Sequence, residues 1–298
     1  MVRLKAIDRR VLYLVAAALV LLTRFVPLGL PVSISPLVQH AFNTVENLPD
    51  GSVVVLSPMY NEAGDGSMTP FFTALLVHCA ERGYRLLIGS TDWTDGPEVV
   101  HPVVTRVLTQ YGYVYGRDYL EWGSRPGGEA WLRAAAGDFA GACGGTDRDG
   151  RSLTQFELAA RVPRLTRDYV DAIISVDIGI PGAYEWRRGV AEPTGIPIVT
   201  ACDNVAVVPG TVDFDPAWSA IYGRLALAEY ERLVGHGGSA LRERDAISAL
   251  ALMVTLFVVL GNTGDLAAGL AARRSRKAHG LRPGAGGTRT DDETGPGD

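Results

Sequence analysis

The sequence predicts an α/β fold, a parallel sheet with helices on both faces, flanked by N- and C-terminal transmembrane helices. Three observations predict it. Short β-rich apolar runs alternate with amphipathic stretches through the middle of the chain. The runs are apolar throughout, as strands covered on both faces require. Two long apolar segments lie outside this middle part, near the two ends of the 298-residue sequence.

The first segment, residues 11–32 (VLYLVAAALVLLTRFVPLGLPV), carries one charge, Arg24. About 20 helical residues span a hydrocarbon core of about 30 Å, and an arginine near the interface can extend its head to water. The basic start (Arg3, Lys5, Arg9, Arg10) also fits a secretory signal, but no A-x-A-like site follows and Pro27, Pro31 and Pro36 crowd the exit. An uncleaved anchor is the reading taken. The second segment, residues 246–267, contains the uncharged run ISALALMVTLFVVLGN at 247–262 and then meets Asp265. It is apolar on every face, whereas a buried core helix shows a stripe.

Charge sets the expected orientation. Residues 1–32 hold five basic and one acidic side chain, and residues 33–243 hold 16 basic and 26 acidic. Arg273, Arg274, Arg276 and Lys277 follow the second segment. Basic residues flanking the outer ends predict both termini in the cytoplasm and the acidic middle outside, in a two-span protein of the cell membrane. The expected organisation is a cytoplasmic start (1–10), a span (11–32), an extracytoplasmic α/β domain (42–235), a span (246–267) and a cytoplasmic disordered tail (273–298), rich in Gly, Pro and polar residues. A formal net charge of −5 and 20% charged residues exclude a strongly basic nucleic-acid binder and an acidic disordered chain. Three widely spaced cysteines, Cys79, Cys143 and Cys202, give no disulfide framework and read as small buried hydrophobes.

Within the middle part, strands are predicted at 52–56 (SVVVL), 85–88 (RLLI), 171–176 (DAIISV) and 196–200 (IPIVT), with a further strand region at 113–122 that can turn at Gly116-Arg117-Asp118. Helices are predicted at 70–82, 97–110, 129–139 and 183–190, with a long final helix at 215–234. The alternation gives a Rossmann-like sheet. Ligands of such sheets sit outside the carboxyl ends of the strands. Those ends are polar here: Ser57, Tyr60 and Asn61 after the first strand, Asp92 after the second, Asp177 after the fourth, Asp203 and Asn204 after the fifth. Aromatic faces beside carboxylates and amides suit a polyol. The plainer reading is that Asp and Asn cap the helices that follow.

The stretch PFFTALLVHCAERGYRLLIGSTDWTDGPEVVHPVV, with the later pair VDAIISVD and GIPIVTACDN, resembles the type I periplasmic binding proteins and the sugar-binding domains of related repressors. That resemblance implies sugar-binding roles for Asn61, Phe71, Asp92, Asp177 and Asp203. Residues 111–168 interrupt the family's usual run, and the chain is short for a second lobe. The overall layout also resembles uncharacterised two-span membrane proteins whose domain ends in a G-x-x-x-x-A-E-Y-E helix, here Gly223 to Glu231.

The other motifs point elsewhere. Pro58 to Glu62 (PMYNE), the loop at 90–96 (STDWTDG) and Asp147-x-Asp149 resemble the family-two glycosyltransferases, in which paired carboxylates hold a divalent ion against a nucleotide diphosphate. The paired acids expected at the second strand are Gly89 and Ser90 here. Such enzymes also draw on cytosolic sugar nucleotides, against the charge-derived orientation. Asp147 to Ser152 resembles the front of a calcium loop, but its fifth and twelfth positions are Arg151 and Leu158. Gly123 to Glu129 (GSRPGGE) offers free amides for an anion beside Arg125, or is a plain turn. The histidines form no zinc-enzyme pattern, and there is no G-x-S-x-G elbow.

The expectation is a membrane-anchored, non-catalytic domain binding a small polar, sugar-like ligand or an envelope membrane-protein partner, with a family-two glycosyltransferase as the alternative. Beside the lipid bilayer, no cofactor, metal, catalytic residue or nucleic-acid partner is assigned.

Overall fold

The structure is a computed structural model that describes residues 9–25, 28–203 and 218–279. The chain divides into two units, residues 1–20 with 249–298, and residues 21–248. The first contains most of helix α1 (Arg9–Phe25) and the distal part of helix α11 (Ser239–His279). In it Tyr13, Leu14, Leu252 and Leu256 are each more than half exposed. Among the described residues, no helix is long and apolar enough to cross a membrane. The 22 residues expected as one span are not one helix: α1 has 17 residues and ends at Phe25, and the described residues 28–35 are non-helical. Pro27 follows that end closely, and proline lacks the N–H that helix continuation needs; Pro36 instead opens the next helix.

The second unit is the α/β domain. Six strands, β1 (Val53–Met59), β2 (Arg85–Thr91), β3 (Tyr119–Arg125), β4 (Ala172–Asp177), β5 (Ile198–Cys202) and β6 (Trp218–Tyr222), form one sheet in the order β3-β2-β1-β4-β5-β6. Every pair is parallel. This is the doubly wound, Rossmann-like order, in which the strand sequence reverses between β1 and β4. All seven β1 residues are buried, the position that an all-apolar VVVL run predicts for a central strand.

Both faces are covered. On one, α2 (Pro36–Glu46), α3 (Glu62–Glu81), α4 (Asp95–Gln110) and α10 (Gly223–Val234) pack over Leu56, Ile88, Ile174 and Ile221. On the other, α5 (Gly128–Gly137), α6 (Phe139–Ala142), α7 (Glu157–Arg161) and the turns from α8 (Ala183–Trp186) through a π-helical turn (Arg187–Ala191) to α9 (Glu192–Thr194) cover Val55, Trp122 and Ile173. Each buried aliphatic side chain contributes about 1.5–3 kcal/mol.

Three boundaries differ from expectation for physical reasons. Helix α3 begins at Glu62, not Pro70, with the Asn61 side chain accepting the Ala63 N–H at 3.1 Å. Pro70 sits inside it and leaves the Gly66 carbonyl without its helical donor. The Ser239 hydroxyl donates to that oxygen at 3.0 Å. Residues 218–222, expected in the final helix, form β6 instead, and Gly223 at φ +83° separates strand from helix. Helix α2, unforeseen, starts on Ser35, whose hydroxyl accepts the Val38 N–H.

The direction of the terminal helices follows from their contacts. Thr44 near the end of α2 bonds Ser219 at the start of β6, at 2.8 Å. Helix α2 therefore starts on the carboxyl side of the sheet and descends to the amino side. Glu231 in α10 accepts the N–H groups of Gly238 (3.0 Å) and Leu241 (2.9 Å), and Arg224 at the head of α10 binds Glu243 at 2.8 Å. The first turns of α11 thus run antiparallel to α10, back toward the carboxyl side. There the buried Asp245 carboxylate accepts the N–H groups of Leu28 (2.9 Å), Gly29 (3.1 Å) and Leu30 (3.3 Å).

Candidate functional site at the carboxyl edge

The reversal between β1 and β4 opens a crevice wherever the two following loops diverge to opposite faces. Here the β1–α3 junction and the loop Ile178–Gly182 after β4 form its walls. They approach closely: a Cβ on Gly64 would lie 3.0 Å from the Ile178 side chain. From the β5 end, the Asp203 carboxylate accepts the Ser67 hydroxyl of α3 at 2.6 Å. From the β2 end, the Trp93 indole N–H donates to the Pro181 carbonyl at 2.5 Å, passing over the end of β1.

Asp177, the last residue of β4, lies beneath this bridge. It is 1% exposed. One oxygen accepts the Ser175 hydroxyl at 3.1 Å, and Oδ1 has no hydrogen-bond partner. Burial pushes its carboxyl up to about 8, opposed in part by the Ser175 hydroxyl and the Ala183 N–H. Gly182 is required above it, because a Cβ there would lie 2.5 Å from the Gly179 carbonyl and 3.1 Å from the Asp177 carboxyl carbon. Such a neutral, partly unpaired acid can donate or accept a hydrogen bond once the covering turn yields.

The expected ligand residues fall into distinct environments. Ser57, Tyr60 and Phe71 are fully buried. The Ser57 hydroxyl accepts the Trp186 indole N–H at 2.9 Å, Tyr60 bonds Thr69 at 3.0 Å, and Phe71 packs on Tyr230. Burial also raises the Tyr60 hydroxyl far above its ordinary range, so it stays a neutral donor. Asn61 caps α3 and is half-buried. Asp92 is exposed and adopts φ +59°, a left-handed conformation uncommon outside glycine. Its Oδ1 accepts the Gly127 N–H at 2.8 Å. In the GSRPGGE turn, read as a plain turn or an anion cradle, the Gly127 amide is thus met by the chain's own carboxylate. Asp177 and Asp203 reach the crevice walls as described, and Asn204 lies outside the described residues.

Ser67, Trp93 and the turn Gly179–Gly182 were not singled out by sequence. Ser67 lies eight residues beyond the end of β1, inside a helix expected to start later. Trp93 carried a signal, an aromatic next to a strand-end Asp.

The acidic pair at Asp147 and Asp149 lies away from the crevice, along the outer edge of β3. Asp147 accepts from Asp149 N–H, Arg151 N–H, the Arg151 side chain and the Tyr115 hydroxyl. Arg148 donates its backbone N–H to the Glu121 carbonyl and its guanidinium to the Glu121 carboxylate at 3.3 Å, covering an otherwise open strand edge. Arg151 thus occupies the place a cation would take on Asp147. Among the described residues, no group of three or more His, Cys, Asp or Glu side chains is arranged to hold a metal ion.

Phosphate recognition at the crevice is disfavoured. The first turn of α3, the position that cradles pyrophosphate in dinucleotide-binding sheets, carries Glu62 and Asp65. An open cavity of about 260 Å³ lies at the opposite, amino edge, between Tyr84, Arg85, Tyr111, Tyr113 and Asp118. Its polar groups already pair internally: Arg85 with the Gly51 carbonyl, Tyr113 with the Tyr84 carbonyl and Asp118 with Arg117. No family model, curated protein or solved structure matches this chain.

Proposed function

We propose that this chain is a membrane-anchored, extracytoplasmic α/β domain that binds a small polar, sugar-like ligand at the carboxyl edge of its sheet. The observation that carries the ligand reading is the convergence of Asp177, Asp203, Ser67 and Trp93 at the point where strand order reverses. Carboxylates and an indole there match the hydroxyls and apolar faces of a polyol. The resemblance of the strand-end segments to sugar-binding domains supports the same chemistry.

Membrane anchoring is supported by the apolar side chains that α1 and α11 expose. It is also supported by Asp245, which holds residues 28–30 against the start of α11. The Lys and Arg residues flanking the outer ends of the two segments support a cytoplasmic side for both termini.

The test is thermal unfolding of the full chain in detergent against a panel of monosaccharides and inositol at high concentration. A ligand selective for the folded state raises the midpoint. At least one polyol shifts it, and Asp203→Asn reduces the shift. A flat response across the panel overturns the ligand reading. A reporter inserted in the domain that is active only in the cytosol overturns the orientation.

A further inference from the structure

We infer that the ligand of the crevice is an amino sugar, carrying a protonated amine beside its hydroxyls, and that Asp177 gives up a proton to pair with that amine. This rests on the ligand reading above and names the class of ligand.

Asp177 lacks a donor on the side that faces the crevice wall. Strand alternation puts Ser175 and Asp177 on one face of β4, and Oδ2 takes the Ser175 hydroxyl at 3.1 Å. Oδ1 faces the covering turn instead, since a Cβ on Gly182 would lie 3.2 Å from it. The Gly182 N–H does not serve it, being donated to the Glu185 carboxylate at 2.6 Å. In register beside Asp177 stand Met59 on β1 and Cys202 on β5, neither of them a cation. The charged neighbour from α8 is Glu185, which has the same sign and opposes ionisation. A buried oxygen without a donor is costly, and a ligand N–H relieves it.

The rim of the crevice is acidic and not neutralised. Glu62 and Asp65 open α3, Asp92 and Asp95 follow β2, and Asp203 follows β5. Among the described residues, none of these five forms a salt bridge. Two arginines of the same edge are committed elsewhere, Arg125 to the Thr146 and Asp147 carbonyls at 2.7 and 3.2 Å and Arg224 to Glu243. A cleft lined by one sign of charge concentrates ligands of the other. A bare metal ion fits poorly, because among the described residues no three such side chains are arranged to hold one. An ammonium needs no such cage, since one carboxylate meets its charge and its N–H groups reach separate acceptors. The hydroxyls of the same ligand find Ser67 and Asp203, and its apolar face finds the half-buried Trp93.

The proton balance follows. Burial raises the Asp177 carboxyl to about 8, so the empty site is neutral there at pH 7. An adjacent ammonium favours the carboxylate. The Asp177 O–H bond breaks, its proton passes to solvent, and the oxygen keeps the electron pair and accepts an N–H of the amine, which stays charged.

The experiment titrates the full chain in detergent, at about pH 6 and fixed ionic strength, with glucosamine, galactosamine and mannosamine, with the parent hexoses and with the N-acetylated forms. At least one amino sugar binds about tenfold more tightly than both its parent and its N-acetylated form. Calorimetry in two buffers of unlike ionisation enthalpy shows about one proton released per amino sugar bound, and none for Asp177→Asn, which keeps the shape but cannot ionise. Trp93 emission changes on binding, because Asp177 lies under its bond to Pro181. Equal affinity for the N-acetylated form overturns the amine, and calcium ion binding in place of every amino sugar overturns it in favour of a metal. Tight amino-sugar binding with no proton released removes Asp177 as the partner. If neutral hexoses bind and amino sugars do not, this inference fails while the ligand reading stands. If no sugar of any kind binds, both fail.

Discussion

The Ser239 hydroxyl donates to the Gly66 carbonyl at 3.0 Å, and Gly66 is the acceptor that Pro70 leaves free inside α3. One helix is thereby repaired by the first residue of another. The pairing is solvent-accessible, so its net value is about 0.5–1 kcal/mol. Ser239→Ala is expected to lower unfolding stability by that amount. In a Pro70→Ala background the restored Ala N–H competes for Gly66, and the effect of Ser239→Ala shrinks. Urea unfolding of the four proteins in a double-mutant cycle measures this coupling. Additive effects would show that the two residues act separately.

Asp245 holds three consecutive backbone N–H groups while 1% exposed. Asp245→Ala leaves those donors without an acceptor in a part-buried position and is expected to cost about 2–3 kcal/mol. Amide exchange reads the site directly, with protection at residues 28–30 lost in the variant while the β1 amides keep theirs. Unchanged protection at 28–30 would remove the clasp from the account.

Asp177 gives a pH dependence with a definite sign. Its folded carboxyl is raised to about 8 from an ordinary 3.8, so the folded state holds a proton that the unfolded chain releases. The favourable contribution is complete below about pH 4 and is lost as pH rises through about 8. Asp177→Asn cannot titrate. Relative to the parent, it is expected to gain stability between pH 5 and pH 8.5, measured by urea unfolding at both values. Glu121 and Glu231, whose carboxyls burial also raises, remain in both proteins and cancel in the difference. A difference independent of pH would place the titration elsewhere.

The sheet was largely legible because its strands are continuous apolar runs, and burial on both faces leaves such a run few alternatives. Four of the five expected strands hold their place with small shifts; in the third region, 113–122, the chain turns at Gly116, as the Gly116-Arg117-Asp118 signal allowed, and the strand begins at Tyr119. The failures share a cause. Pro70 reads locally as a helix start, yet the helix passes through it, and the carbonyl it frees is taken up by Ser239, far away in the sequence. Trp218–Tyr222 reads as the head of a helix until β5 supplies the neighbour that makes it a strand. The candidate site was legible as polar strand ends. Which of those side chains turn inward depends on alternation within strands that run past the expected stop: Ser57 is inside β1, and its hydroxyl meets Trp186 from a segment 129 residues away. No local pattern encodes that distance.

Gly96 tests how closely α4 must approach β1. A Cβ at that position would lie 2.2 Å from the Pro58 carbonyl oxygen and 2.9 Å from that of Tyr60, both backbone atoms that cannot swing away. Gly96→Ala is expected to cost about 3 kcal/mol by forcing the helix off the strand end. Trp93, three residues earlier, would move with it and weaken its bond to Pro181. The stability loss and a red shift of indole emission should therefore appear together. A stable variant with native emission would mean that α4 can yield without disturbing the crevice.

Ser57 separates a packing role from a ligand role. Its hydroxyl is fully buried and is the acceptor for the Trp186 indole N–H at 2.9 Å. Removing it strands a buried donor, which costs about 1–3 kcal/mol. Ser57→Ala is therefore expected to lower the unfolding midpoint, yet to leave the affinity for a stabilising polyol within about twofold of the parent once the folded fraction is allowed for. Asp203→Asn should show the opposite pattern, with the midpoint nearly kept and the affinity reduced about tenfold, since its carboxylate is half-exposed at the crevice wall and its loss removes a charged acceptor. Loss of affinity in Ser57→Ala with stability intact would move the ligand inward, onto the buried end of β1.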